Sequence, residues 1–204
     1  QVFWAHKAPM KALLTADAQV IKRYYDTSGS RDAWWKMMDA FTGADMRWGR
    51  ALMCAFFGAV LAKYLGNEEG LPFIYIYAKN SGVGKSTIME VGSSIYGSPM
   101  KQKIPPDTSA VGRTSTISLS NNIASVHDEL THFGADQMAK LLMGLTQNKE
   151  KIRASQQGGI SDTGGREWCS VHFGTGNTPY AQAIANDSTL DLPLLARLIQ
   201  INLD

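Results

Sequence analysis

A short apolar run, Leu71-Pro72-Phe73-Ile74-Tyr75-Ile76-Tyr77, ends at Ala78-Lys79-Asn80-Ser81-Gly82-Val83-Gly84-Lys85-Ser86-Thr87, and a helical pattern follows as far as Tyr96. A strand, a glycine-containing loop and Gly-Lys-Ser at a helix start together make a phosphate-binding loop. The glycines let backbone N–H groups turn inward, and the new helix adds its positive amino end. Residues Asn80, Ser81, Gly82, Val83, Gly84, Lys85, Ser86 and Thr87 are therefore the candidate nucleotide contacts. Lys85 is expected to reach the β- and γ-phosphates of ATP, and the Ser86 hydroxyl to ligate Mg²⁺. The full pattern has glycine where Lys79 stands, so the first corner of the loop calls for a different turn. An ordinary strand-to-helix turn is the plain alternative.

The chain's 204 residues suffice for one sizeable domain, or one domain with a helical appendage. A net charge of only +2 gives no global basic field, so any nucleic-acid contact must be local. Cys54 and Cys169 lie far apart in apolar surroundings, which predicts buried thiols in a reducing compartment; neither has metal-ligand spacing. No secretory signal is visible, and the apolar stretch Ala51 to Ala62 is short of a membrane span, reading instead as a buried core helix. No membrane partner and a cytoplasmic location are expected. The chain starts at Gln1 and stops soon after a strand-like run, so a fragment of a longer protein is expected.

Helical patterns cover Ala16–Tyr25, Arg31–Phe41 and Met46–Tyr64, with a cap expected at Asp45. Beyond Gly66-Asn67-Glu68-Glu69-Gly70 the pattern alternates. Strands are expected at Pro72–Tyr77, Lys101–Ile104, Asn122–His127, Trp168–Thr175 and Leu198–Asn202. Helices are expected at Lys85–Tyr96, Thr114–Asn121 and Ala135–Thr146. This predicts a helical segment over 1–66 and an α/β domain over 67–204, with a central parallel sheet covered by helices.

A nucleotide site also needs an acid for the metal and a group that activates water. Ile123-Ala124-Ser125-Val126-His127-Asp128-Glu129 supplies both at a strand end, Asp128 for Mg²⁺ and Glu129 for the water. A solvated acidic turn is the alternative. Phe173-Gly174-Thr175-Gly176-Asn177-Thr178-Pro179 offers Asn177 at the tip of another strand, where it could touch both γ-phosphate and water; its glycines allow close backbone approach. An ordinary Asn-Thr-Pro turn would look the same.

Lys149, Lys151 and Arg153 are two apart, so on a strand they share a face. A glycine-rich run to Arg166 and a returning strand at Trp168 complete a β-hairpin pattern. Such a hairpin can grip a nucleic-acid backbone through Lys149, Lys151, Arg153 and Arg166, or be a merely solvated surface. Arg197 stands alone among apolar residues before the last strand, where desolvation is costly unless an anion awaits it. It reads either as an arginine finger or as a half-exposed arginine with a buried stem.

The order Gly84-Lys85-Ser86-Thr87, Asp128-Glu129, basic hairpin, Thr175-Gly176-Asn177-Thr178-Pro179 and Arg197 resembles the superfamily 3 helicases. These are ring-forming AAA+ type P-loop ATPases of phage, viral and mobile-element replication proteins, and Asn148 to Ala154 is similar to helicase-like ATPases often fused to a primase. The resemblance covers about residues 70–204. It implies Lys85, Glu129, Asn177 and Arg197 as catalytic residues, Ser86 and Asp128 at the metal, ATP and Mg²⁺ as cofactors, and single-stranded DNA in the channel of a homo-oligomeric ring, with a hexamer expected. With the chain ends, it implies a fragment of a longer replication protein. The hairpin tip lacks the lysine–histidine pair of well-studied members. An NTP-dependent switch or assembly ATPase that binds a protein partner without unwinding nucleic acid has the same motifs; a small-molecule kinase would need an arginine-rich lid that the sequence lacks.

Overall fold

The computed structural model describes residues 22, 24–43, 47–65, 70–149, 166–185 and 192–204. Two helices come first, α1 (Arg31–Phe41) and α2 (Arg47–Leu61), the latter running into a 3-10 turn at Ala62–Leu65. Then follow β1 (Phe73–Tyr77), α3 (Lys85–Ser93), α4 (Pro99–Gln102), β2 (Lys103–Ile104), α5 (Ala110–Ser120), β3 (Ser125–His127) and a 3-10 turn at Leu130–His132. The chain closes with α6 (Ala135–Thr146), β4 (His172–Gly176), α7 (Tyr180–Ala185), α8 (Leu192–Leu195) and β5 (Leu198–Asn202).

The five strands form one parallel sheet in the order β2-β3-β4-β1-β5. Strand β1 therefore lies between β4 and β5, with Phe73 opposite His172 on one side and Leu198 on the other. Side chains alternate across a strand, so the sequence Phe-Ile-Tyr-Ile feeds both faces of the sheet. Ile74 and Ile76 pack with Leu52, Phe56, Ala59, Met89 and Phe173 under α2 and α3. Phe73 and Tyr75 pack on the other face with Ile117, Met138, Leu142 and Tyr180. Both faces being covered is the condition an all-parallel sheet requires.

Helix α2 belongs to this core. Phe56 stacks on Phe173 of β4, ring centroids 3.9 Å apart and planes 1° from parallel. Gly92 of α3 also meets this ring: a Cβ there would stand 2.1 Å from a Phe56 ring atom. The exposed side of α2 carries Phe57, Val60 and Leu61, so the helix is buried along one stripe only. Helix α1 packs Met38 and Phe41 against Met53 and Val91, and Trp34 Nε1 donates to Ser94 Oγ at 2.9 Å.

Several boundaries differ from the sequence reading for local reasons. The strand expected at Lys101–Ile104 keeps only two residues, because Ser98 and Pro99 start a helical turn that lasts to Gln102. Helix α5 begins four residues early, at a cap where Ser109 Oγ accepts from Gly112 N. It stops at Asn121, whose φ of 47° ends both the helix and any earlier start of β3. The expected buried thiols are not both buried: Cys54 is exposed and Cys169 half-buried. The helix expected over Ala16–Tyr25 and the cap at Asp45 lie outside the described residues, save for Lys22 and Tyr24, which are helical, and Tyr25, which is not. Among the described residues no helix is long and apolar enough to cross a membrane.

Phe56→Ala removes the ring that joins α2, α3 and β4. It should lower folding stability by about 3–5 kcal/mol, read from urea unfolding, as expected for a fully buried phenylalanine.

Candidate nucleotide site

The three carboxyl strand ends that carry candidate chemistry open on one edge of the sheet. Strand β1 leads into the glycine loop, β3 into Asp128-Glu129 and β4 into Asn177. Ligand crevices in open α/β sheets form at such edges, where strand order reverses.

The loop turns on Gly82 (φ 80°) and Gly84 (φ 93°), both in the left-handed region that favours glycine. Gly84 caps α3 without a side-chain bond, so the first N–H groups of that helix keep their donors available. Lys79 has no positive φ, so glycine is not required there. Its N–H donates instead to Asp204 Oδ2 at 3.0 Å, which pins the first corner of the loop to the end of β5.

Lys85 is 8% exposed, and its Nζ donates to Ala78 O (3.2 Å), Asn80 O (3.1 Å) and Asn177 Oδ1 (2.8 Å). Asn177 in turn donates from Nδ2 to Glu129 Oε1 at 3.5 Å, and from its backbone N to Thr131 Oγ1 at 2.9 Å. One amide thus joins the loop lysine to the second acid.

Asp128 Oδ1 accepts from Ser86 Oγ (3.3 Å) and Thr175 Oγ1 (2.8 Å), while Oδ2 accepts from Lys103 Nζ (3.1 Å). Lys103 also meets Glu90 Oε1 of α3 at 2.8 Å. Burial alone would push the Asp128 carboxyl up; hydrogen bonds from Thr175, Lys103 and Ser86, with the Lys103 charge, outweigh it and hold the group below the usual carboxylate range. Glu129 adopts a left-handed backbone (φ 53°, ψ 65°), a conformation that costs a non-glycine residue about 1 kcal/mol. Its N–H donates to Thr175 Oγ1 at 3.0 Å, so one hydroxyl fixes both acids.

Behind the acids runs a buried polar seam. Arg113 Nη1 can only donate, so His127 Nδ1 accepts at 2.8 Å and Nε2 carries the proton toward Ser125 Oγ at 3.0 Å. The Ser125 hydroxyl then donates to His172 Nδ1 at 2.7 Å. Burial, with the Arg113 and His172 charges, holds His127 well below its ordinary range, and burial brings His172 down to about 3. The serine and histidine of β3 are thus satisfied across the sheet rather than solvated. Gly174 and Gly176 make room for rings of β1: a Cβ would lie 2.5 Å from Phe73 Cζ in one case and 1.8 Å from the Tyr75 hydroxyl in the other.

The remaining candidates lie elsewhere. Arg197 is exposed, so the desolvation argument for it does not apply; its Nη1 donates to Thr146 Oγ1 at 3.4 Å. It precedes Leu198, which pairs with Phe73 at the amino end of β1, roughly 13 Å of strand from the loop. It is not part of its own chain's site. Lys149 bridges antiparallel to Glu167, and Trp168 N donates to Asn148 O at 3.0 Å, so the residues on either side of 150–165 lie side by side; the expected hairpin itself falls outside the described residues. Lys149 and Arg166 are both exposed; Lys149 faces Glu167 at 3.7 Å and Arg166 contacts Ser115. Lys151 and Arg153 lie outside the described residues.

Sequence reading passed over four residues that hold the site together: Lys103, Thr131, Thr175 and Asp204. Thr175 had a signal, since it lies two before Asn177 and shares its strand face. Lys103, Thr131 and Asp204 had none, because only the fold brings them near.

A family model described as Domain of unknown function (DUF927) matches residues 5–164. The chain belongs to that family. This DUF927 chain also resembles a solved structure described as SCCmec type IV Cch, an active helicase, at a TM-score of 0.55 and 19% identity. The match covers 88% of the chain and 33% of the helicase, so the chain spans one third of that protein's length. NtrX from Brucella abortus in complex with ATP matches at a TM-score of 0.43 and 13% identity, over 79% of the chain and 37% of NtrX. No curated protein matches the chain. The five-stranded parallel sheet of this DUF927 member is of the P-loop NTPase type.

Thr175→Val deprives Asp128 of a donor and Glu129 N–H of its acceptor. Stability should fall by about 1–3 kcal/mol at neutral pH. A depressed Asp128 contributes stability that is full above about pH 4 and is lost as pH falls through its folded value. The gap between wild type and variant in thermal midpoint should therefore narrow on acidification below about pH 4.

Proposed function

We propose that the chain is the ATP-hydrolysing motor of a DNA helicase or translocase, of the superfamily 3 kind, within a phage or mobile-element replication protein acting in the cytoplasm. The observation that carries this reading is the continuous set Ser86–Asp128–Thr175–Glu129–Asn177–Lys85 at one sheet edge. The likeness to a helicase structure supports the motor reading at the level of fold.

In this reading the N–H groups from Gly82 to Thr87 surround the phosphates, with Asn80 and Ser81 at the loop's first turn. Lys85 gives its charge to the β- and γ-oxygens. Its present partners are two carbonyls and an amide, all neutral, so nothing with opposite charge must be displaced. Ser86 and Asp128 supply the hydroxyl and single carboxylate that suit Mg²⁺ beside a triphosphate. When bound, that ion neutralises charge on the β- and γ-oxygens. Glu129 takes a proton from the attacking water, the bond from γ-phosphorus to the bridging oxygen breaks, and ADP leaves with that electron pair. Asn177 holds the γ-phosphate and the Glu129 carboxylate in register.

Arg197, at the far sheet edge, can serve only the site of another subunit. That requires a head-to-tail ring, for which a hexamer is the expected closure. The basic hairpin with Lys149, Lys151, Arg153 and Arg166 would then face single-stranded DNA in the channel. A fused or associated primase fits the same reading.

The test is ATPase rate with and without single-stranded DNA, alongside a mass measurement in solution. Stimulation by DNA and a ring-sized mass are expected; unstimulated turnover by a monomer would favour the switch. Lys85→Ala should abolish turnover, and Glu129→Gln should hold ATP without hydrolysing it. Replacing Lys151 and Arg153 by Ala should weaken DNA binding and flatten its salt dependence while basal ATPase persists. Equal DNA affinity in that variant would remove the hairpin from its role.

A further inference from the structure

The phosphate loop has a second lysine beside it that its motif does not explain. Lys103 reaches the acids from β2, where it pairs in register with Val126 of β3. Its ammonium lies 3.1 Å from Asp128 Oδ2 and 2.8 Å from Glu90 Oε1, and its side chain is 14% exposed. Glu90 stands on α3, the helix that begins at Lys85. Lys103 therefore ties the phosphate-loop helix to the strand end carrying the acids.

We propose that Lys103 is a resident counter-cation that keeps Asp128 and Glu90 from capturing a divalent metal until a nucleotide brings it. This rests on the nucleotide reading of the site. Three physical points support it. The ammonium sits within about 3 Å of both carboxylates, so a dication drawn to the pair would approach a fixed positive charge. The low exposure of Lys103 leaves little water to screen that repulsion. Asp128 Oδ1 remains turned toward Ser86, so the face of the carboxylate nearest the loop still serves a metal that arrives with phosphate oxygens. The phosphates then add the negative charge that outweighs the lysine. Without Lys103, Glu90 and Asp128 would be two unneutralised acids close enough to have shared one cation, an arrangement that attracts metal by itself.

The experiment titrates Mn²⁺ into nucleotide-free protein, followed by electron paramagnetic resonance, for wild type, Lys103→Met, Lys103→Arg and the double variant Lys103→Met with Glu90→Gln. Lys103→Met should bind Mn²⁺ at least about tenfold more tightly than wild type. Lys103→Arg should match wild type, since the charge is kept, and the double variant should lose the gain. Lys103→Gln, which also removes the charge, repeats the measurement if the methionine variant does not fold. Unchanged or weaker Mn²⁺ binding in both neutral variants would overturn the proposal. Binding of a fluorescent ADP analogue with Mg²⁺ to wild type is measured separately: its absence would remove the nucleotide reading, whereas its presence with a flat Lys103 series would remove this inference alone.

Discussion

The position of β4 between β1 and β3 governs the chemistry of the whole edge. Were β3 the neighbour of β1, the acids at its end would fall directly beside the loop lysine and pair with it. The inserted strand keeps them one strand apart and fills the gap with neutral groups, Thr175 and Asn177. Among the described residues Lys85 has no carboxylate partner, and its ammonium is held by dipoles only. A charge held in this way remains available to an anion, because carbonyl and amide contacts give way more readily than a buried ion pair.

The same arrangement explains a conformational cost. Glu129 takes up a left-handed backbone that a glutamate does not favour, and its N–H finds the Thr175 hydroxyl there. Strain of this sort persists where neighbouring contacts over-determine the geometry. The buried seam from Arg113 through His127 and Ser125 to His172 adds support from beneath, fixing β3 to β4 through side chains as well as backbone.

Much of this was legible in the sequence, and the reasons are physical. The strand–loop–helix run at 71–96 carries its conformation locally, in β-rich apolar residues, two glycines and a helix start. Strand β5 and helix α6 were read to the residue, because their apolar periods are strong and their ends are marked. What could not be read depends on distant contacts. That α2 shares the core of the sheet rests on Phe56 meeting Phe173, more than a hundred positions away. That lysine suffices where glycine was expected rests on Asp204, which is local to nothing in the loop. The apolar neighbours of Arg197 left open whether it is desolvated or partly exposed, and a short helix and turn leave the residue exposed. The exposed Cys54 has the same origin: an apolar neighbourhood in sequence does not say which side of a helix faces water.

Trp168 has a mechanical consequence. It is buried, its indole N–H donates to Leu145 O at 3.0 Å, and its backbone N–H closes the bridge at Asn148. Four residues later the chain enters β4, which ends at Gly176, one residue before Asn177. The points where the chain leaves at Lys149 and returns at Arg166 are thus tied to the body of the domain by that indole, by the Lys149–Glu167 bridge and by the Arg166–Ser115 contact. A pull on these anchors is carried along β4 toward the amide that touches Lys85, because Trp168 and Asn177 flank the same strand.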